Sequence, residues 1–188
     1  MNRSLVFVFS LLFLVATAYR VIPYTMRPEW LGAPQLAMAL FAGALVANRK
    51  YAFLVSLASM LLSDVVMQLL YLANSGDYFP GFYKGQVINY ILIVGTTVIG
   101  FFINSRKPLQ IAGGAVAGSL VFFLLSNFQV WLGGGGLHRA KTVAGLLQTY
   151  VDGLPFLTNS LAGTVLFSAL FFGVNALLPQ RASQLAKA

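Results

Sequence analysis

Residues 51–73 read "YAFLVSLASMLLSDVVMQLLYLA", an apolar run interrupted by one carboxylate, Asp64, and one amide, Gln68. At about 1.5 Å of rise per residue such a run covers the roughly 30 Å of hydrocarbon in a bilayer. It predicts a membrane-crossing helix with an acid inside it. An ionisable group in that position is expensive and marks either a site or a buried ion pair. Gln68 falls one turn beyond Asp64 on the same face, and Tyr71 continues the stripe.

The rest of the chain agrees with a lipid solvent. Of 188 residues, 59% are hydrophobic and only 9% are charged, against about 25% charged in a soluble domain. The expected fold is all-α, a single integral-membrane domain over 1–188 with six transmembrane helices. No cysteine is present, which excludes disulfides and thiolate chemistry. One histidine, His138, is too few for a protein-built zinc site, so neither a metal nor a cofactor is expected. The net charge of +8 is scattered in singles and pairs between apolar runs. That distribution suits topology signals and anionic lipid, not nucleic acid.

The six segments are 4–22, 33–48, 51–73, 86–104, 109–132 and 153–178. The second spans only about 24 Å as a helix, so it should be enclosed by neighbours or thin the bilayer. The prolines fall at or near segment ends, where a missing N–H costs little. Arg3, Arg49, Lys50, Arg106, Lys107, Arg181 and Lys187 lie on one side with no acid, while Glu29, Asp77 and Asp152 share the other with the remaining cations. Lys/Arg-rich short loops stay in the cytoplasm, so both termini are expected there, in a bacterial inner membrane. The long loops, about 23–32, 74–85 and 133–152, then lie outside, where binding functions concentrate. The first segment also resembles a secretory signal, with Arg3, an apolar stretch and Ala16-Thr17-Ala18 as a cleavage pattern. The sequence allows both readings.

Several polar residues gather near the outer ends of these segments. Arg20 closes the first and either snorkels, pairs with Asp64 or meets a ligand. "SNFQVWLGGGG" (126–136) closes the fifth, with Asn127 and Trp131 one turn apart on one face. They line a site, or else cap the helix and anchor it at the interface. The four glycines lack the Lys-Ser/Thr of a phosphate loop and read as a hinge. The sixth segment opens "VDGLPFLTNSLAG", with Asp152 as its cap, Pro155 in its first turn, and Thr158, Asn159 and Ser160 as a polar collar. Gln86, Asn89 and Tyr90 form a similar collar on the fourth. Ala39-xxx-Gly43-xxx-Ala47 and Gly114-xxx-Gly118 are stripes of small residues that let helices approach closely, within the bundle or against a second protein.

"RVIPY" (20–24), "PQLAMALFAGALVANRKYAFLVSLASMLLSDVV", "SNFQVWL" and "GLPFLTNSLAG" resemble the signature blocks of a family of uncharacterised six-span bacterial membrane proteins to which transport is only ascribed. At fold level that family is similar to the substrate-binding S components of energy-coupling factor transporters. The resemblance implies capture of a vitamin or other small solute in an external pocket. It also implies a transmembrane coupling subunit with ABC-type ATPases as partner. Two departures stand out. Ala16-xxx-Arg20 does not supply the Ala-xxx-Ala stripe through which S components dock, and the amino terminus has no histidine-rich metal-carrier pattern.

The leading expectation is therefore a solute-binding or transport protein with an outward cup. Asp64, Gln68, Asn127, Trp131, Asn159, Arg20, Gln86 and Asn89 would orient a small polar solute, with Trp131, Phe156 and Tyr83 supplying stacking area. The alternative is a non-transporting scaffold or assembly factor. An intramembrane enzyme is disfavoured, because Ser63-Asp64 stand far from His138 and no GxSxG or HExxH is present; no catalytic residue is expected.

Overall fold

The computed structural model describes residues 3–22, 31–74, 78–133 and 139–177. The glycines 134–136, His138 and the basic tail lie outside them. Seven helices follow in order: α1 (Arg3–Val21), α2 (Gln35–Leu45), α3 (Arg49–Ala73), α4 (Gln86–Gly95), α5 (Thr97–Gly100), α6 (Pro108–Gly133) and α7 (Val143–Leu177). No strand occurs among the described residues. Three of the helices, α3, α6 and α7, are long and apolar enough to cross a membrane.

Each of those three buries only about a third of its most apolar stretch inside the bundle. Leu54, Leu61, Leu69 and Leu72 on α3, and Leu120, Leu124 and Leu125 on α6, point outward. A continuous apolar exterior on this scale needs an apolar solvent.

The expectation of six spans is corrected in two places. The segment 33–48 yields an eleven-residue helix, α2, about 16 Å long. From Gln35 to Gly43 every residue of α2 is buried, enclosed by α3, α5, α6 and α7. The segment 86–104 breaks at Thr96, whose hydroxyl turns back to donate to the Ile93 carbonyl at 2.6 Å. The short α5 that follows packs on α2. This contact requires glycine on both sides, since a Cβ at Gly43 would lie 2.9 Å from the Gly100 Cα and one at Gly100 the same distance from the Gly43 Cα. Gly114 meets Ile103, and Gly118 faces Leu40. Both small-residue stripes are thus used inside the chain.

Local chemistry sets the helix ends. The Asn48 side chain accepts from the Lys50 N–H at 3.0 Å and caps α3. Thr142 does the same for α7, accepting from Gly145 at 3.2 Å. This start lies about ten residues before the expected one at 153. The reason is an unread helical period: Val143, Leu146, Leu147, Tyr150, Val151 and Leu154 recur at i, i+3, i+4, i+7. Asp152 is consequently not a cap. It accepts from Arg139 at 2.9 Å and from Gln148 at 3.0 Å. Pro155 sits inside the helix instead of its first turn, so the Val151 carbonyl loses its i+4 donor there.

The core is built around α2. Phe41 packs edge-on to Phe171 and Phe172 of α7 at centroid distances of 5.9 and 5.1 Å, and Leu12 and Ala16 of α1 join the same cluster. In a lipid solvent such a core gains little from apolar transfer, so close packing carries it.

Candidate functional site

Arg20 stands in the last turn of α1 and Asp64 in the C-terminal half of α3. They form an ion pair through Nη2 and Oδ1, with the acid 1% exposed and the base 21% exposed. The other guanidinium nitrogen, Nη1, donates to the Ser63 hydroxyl at 2.6 Å. Ser63 donates in turn to the Met60 carbonyl at 2.8 Å. The second carboxylate oxygen of Asp64 accepts from Gln86 Nε2 at 2.7 Å and from the Tyr90 hydroxyl. Two charges taken out of water are tolerable only when the remaining lone pairs and protons are satisfied. Here α1, α3 and α4 supply those partners together.

Segment 78–85 closes over this cluster. Gln68 Oε1 accepts from the backbone N–H groups of Gly81 at 3.0 Å and Phe82 at 3.2 Å. Gln86 Nε2 donates to the Gly81 carbonyl at 2.7 Å, and its Oε1 accepts from Tyr83 N–H at 3.3 Å. The Gly81 backbone lies so close to α3 that a Cβ would collide with the Asp64 carbonyl oxygen. Gly85 adopts φ 89°, the left-handed conformation that starts α4.

Beside the ion pair opens a cavity of about 380 Å³. Arg20, Asp64 and Tyr90 form its charged and hydroxylic wall, and Asn159 and Ser160 of α7 form the opposite one. Met60, Ile93 and Phe122 supply apolar area, while Tyr83 and Phe156 complete its aromatic lining. Its flank is sealed by segment 31–34, which lies directly on α7. Gly32 N–H donates to the Asn159 carbonyl at 2.9 Å, and a Cβ at Gly163 would lie 2.7 Å from the Gly32 carbonyl carbon. Tyr19 ties the same segment to α1 by donating to the Leu31 carbonyl at 2.9 Å.

Five of the residues expected from sequence therefore meet at one cavity: Arg20, Asp64, Tyr83, Phe156 and Asn159. Gln68 and Gln86 stand behind it and hold its loop and its acid. Asn89 is further out, donating to the Tyr83 hydroxyl at 2.8 Å. Asn127 and Trp131 lie outside the cavity. Asn127 satisfies its amide on its own helix, donating to the Phe123 carbonyl at 2.9 Å, and packs against Gly153 of α7. Trp131 donates to the Ala140 carbonyl at 2.9 Å and carries Lys141 over its ring at 5.2 Å. Both serve the junction between α6 and α7.

Gln35 was not anticipated. It lines the cavity from the first turn of α2 and is 5% exposed. Its amide nitrogen and oxygen make no hydrogen bond among the described residues. The signal in the sequence was an amide at the outer end of the segment 33–48, which is apolar from there to Asn48.

At the other end of the bundle a groove of about 360 Å³ runs between α6 and α7. Alanine, glycine, Phe172 and Val165 line most of it, with Arg106 at the rim. Its polar groups are few, Ser105 and Ser168 beside Arg106, whereas a recognition pocket needs several placed to converge on a ligand. Among the described residues no three His, Cys, Asp or Glu side chains gather in a way that could hold a metal ion.

The chain belongs to the family of unknown function DUF6580, whose sequence model spans residues 1–185. No curated protein and no solved structure matches it.

Proposed function

We propose that this member of DUF6580 is a multi-pass protein of a bacterial inner membrane that captures a small solute from the external face. Its cup is the cavity beside Arg20 and Asp64. The observation that carries this reading is the convergence of six helices, α1–α4, α6 and α7, and two connecting segments on one void walled by a buried ion pair, hydroxyls, amides and aromatic rings. A packing fault in an apolar bundle would be lined by apolar side chains, as most of the groove between α6 and α7 is. The charge asymmetry of the connecting segments puts the cavity end outside and both termini in the cytoplasm. The all-helical bundle keeps the likeness to S components of energy-coupling factor transporters as the working fold.

Coupling to a transmembrane partner with ABC-type ATPases would need a surface other than the one S components use. Ala16 is wholly buried and Arg20 is committed to Asp64, so that face of α1 is occupied within the chain.

One observation favours a second reading. The carboxylate of Asp64 is fully engaged by Arg20, Gln86 and Tyr90, as it would be in a purely structural brace of a scaffold or assembly factor. Ligand-dependent stabilisation separates the two. A solute at a hundred times its Kd adds about 2.7 kcal/mol. For a chain of this size that corresponds to a rise of roughly 5 °C or more in unfolding temperature. A panel of small solutes covering acids, amines, amides and sugars, tested on the detergent-solubilised protein, should contain at least one that does this. A wholly inert panel supports the scaffold.

A further inference from the structure

Resting on the reading of the cavity as a solute site, we infer that its ligand is a neutral planar ring bearing a cis-amide edge, recognised by Gln35. Such an edge places an N–H beside a C=O, as in a lactam, an imide or a pyrimidine-type ring.

The charged groups at the cavity wall are already committed to one another. Arg20 gives one nitrogen to Asp64 and the other to Ser63, and Asp64 takes Gln86 and Tyr90 on its remaining oxygen. The two formal charges cancel. A charged solute would find no free counter-charge on the cavity wall or would pull one partner out of the ion pair, and the second is costly. The ligand is therefore neutral.

Gln35 is the group left over. It is more than nine-tenths buried, it lines the cavity, and neither end of its amide has a partner among the described residues. A primary amide offers one acceptor and two donors on adjacent atoms. Its matching surface is a donor next to an acceptor, paired through two parallel hydrogen bonds. The terminal torsion of glutamine is broad and roughly two-fold, so the amide can present either order. The apolar walls, Met60, Ile93 and Phe122, suit the faces of a ring, and the volume suits one ring with small substituents.

The test uses the full chain in detergent micelles with 2-pyridone as probe. N-methyl-2-pyridone, whose donor is blocked, benzoate and benzylammonium serve as comparisons. The expected result is a rise in unfolding temperature with 2-pyridone and little change with the other three. Gln35→Leu should weaken the response to 2-pyridone by about ten- to hundredfold, the loss expected when a buried polar pairing is removed. The ligand-free unfolding temperature of Gln35→Leu should stay level or rise, because the substitution removes a buried amide with no partner among the described residues. A marked fall would mean that Gln35 braces the fold, and it would overturn the inference while leaving the solute site in place. The inference is equally overturned if N-methyl-2-pyridone or a charged ring binds as well as 2-pyridone, or if Gln35→Leu responds like the parent. If none of the four probes, nor any solute of the broader panel, has an effect, inference and solute site fall together.

Discussion

Arg20 at the end of α1 and Asp64 in α3 form one ion pair, and the acid is buried far more completely than the base. That asymmetry makes the base the informative partner to remove. Without it a carboxylate is stranded in a low-dielectric interior, a loss of about 3–5 kcal/mol for buried pairs. Arg20→Met should therefore unfold much earlier than the parent in a denaturant titration. The double substitution Arg20→Met with Asp64→Leu should recover most of the loss, since an apolar pair leaves no uncompensated charge. A double variant no more stable than the single would show that the stranded carboxylate is not what destabilises Arg20→Met.

Gly163 and Gly173 lie on the same helix but in different surroundings. A Cβ at Gly163 would run into the Gly32 backbone, whereas one at Gly173 meets nothing within 4 Å. Gly163→Ala should lower the unfolding temperature by several degrees and loosen segment 31–34. Gly173→Ala should be neutral or stabilising by about 0.5–1 kcal/mol, the helix-propensity gain alone. Thermal unfolding of the two variants side by side checks this.

Gly81 predicts a defect of loop closure. Any side chain there must push the 78–85 segment off α3, because the Asp64 carbonyl and Gln68 occupy the space. Gly81→Val should speed proteolysis in that segment and weaken solute binding together. Phe82→Ala, at an exposed neighbour in the same segment, should do neither.

Tyr90 and Trp131 separate the cavity from the junction. Tyr90→Phe removes a hydroxyl that both lines the void and bonds Asp64, so solute binding should weaken at least as much as stability. Trp131→Phe removes a bond to Ala140 outside the cavity. It should cost about 1 kcal/mol of stability and leave solute binding unchanged, as isothermal titration of both variants would show.

The legible parts of this chain were those where a physical cost stood out locally. Asp64 and Arg20 were visible because charge in an apolar run demands a partner. The enclosure of 33–48 was visible because that segment is too short to span. Asn127 misled because an amide near a helix end can satisfy itself on the carbonyl four residues back, which sequence cannot distinguish from facing a void. Asp152 and Pro155 imitated a helix start closely enough to mask the helical residues before them. Gln35 went unread because an amide beside a proline resembles a segment end, and only the packing of α2 reveals it as buried. The break at Thr96 depends on contacts between α2 and α5 that no local signal announces.

A cavity open to the outside is a matter of reagent access, and the absence of native cysteine makes that access directly measurable. Ser160→Cys places a single thiol on the cavity wall, and Ser105→Cys places one beside the groove at the opposite end. Intact cells are treated with a membrane-impermeant maleimide. An outward cup gives labelling at 160, none at 105, and protection of 160 by a bound solute. Labelling at 105 but not at 160, or a residue 160 that reacts only after the protein is unfolded, would rule it out.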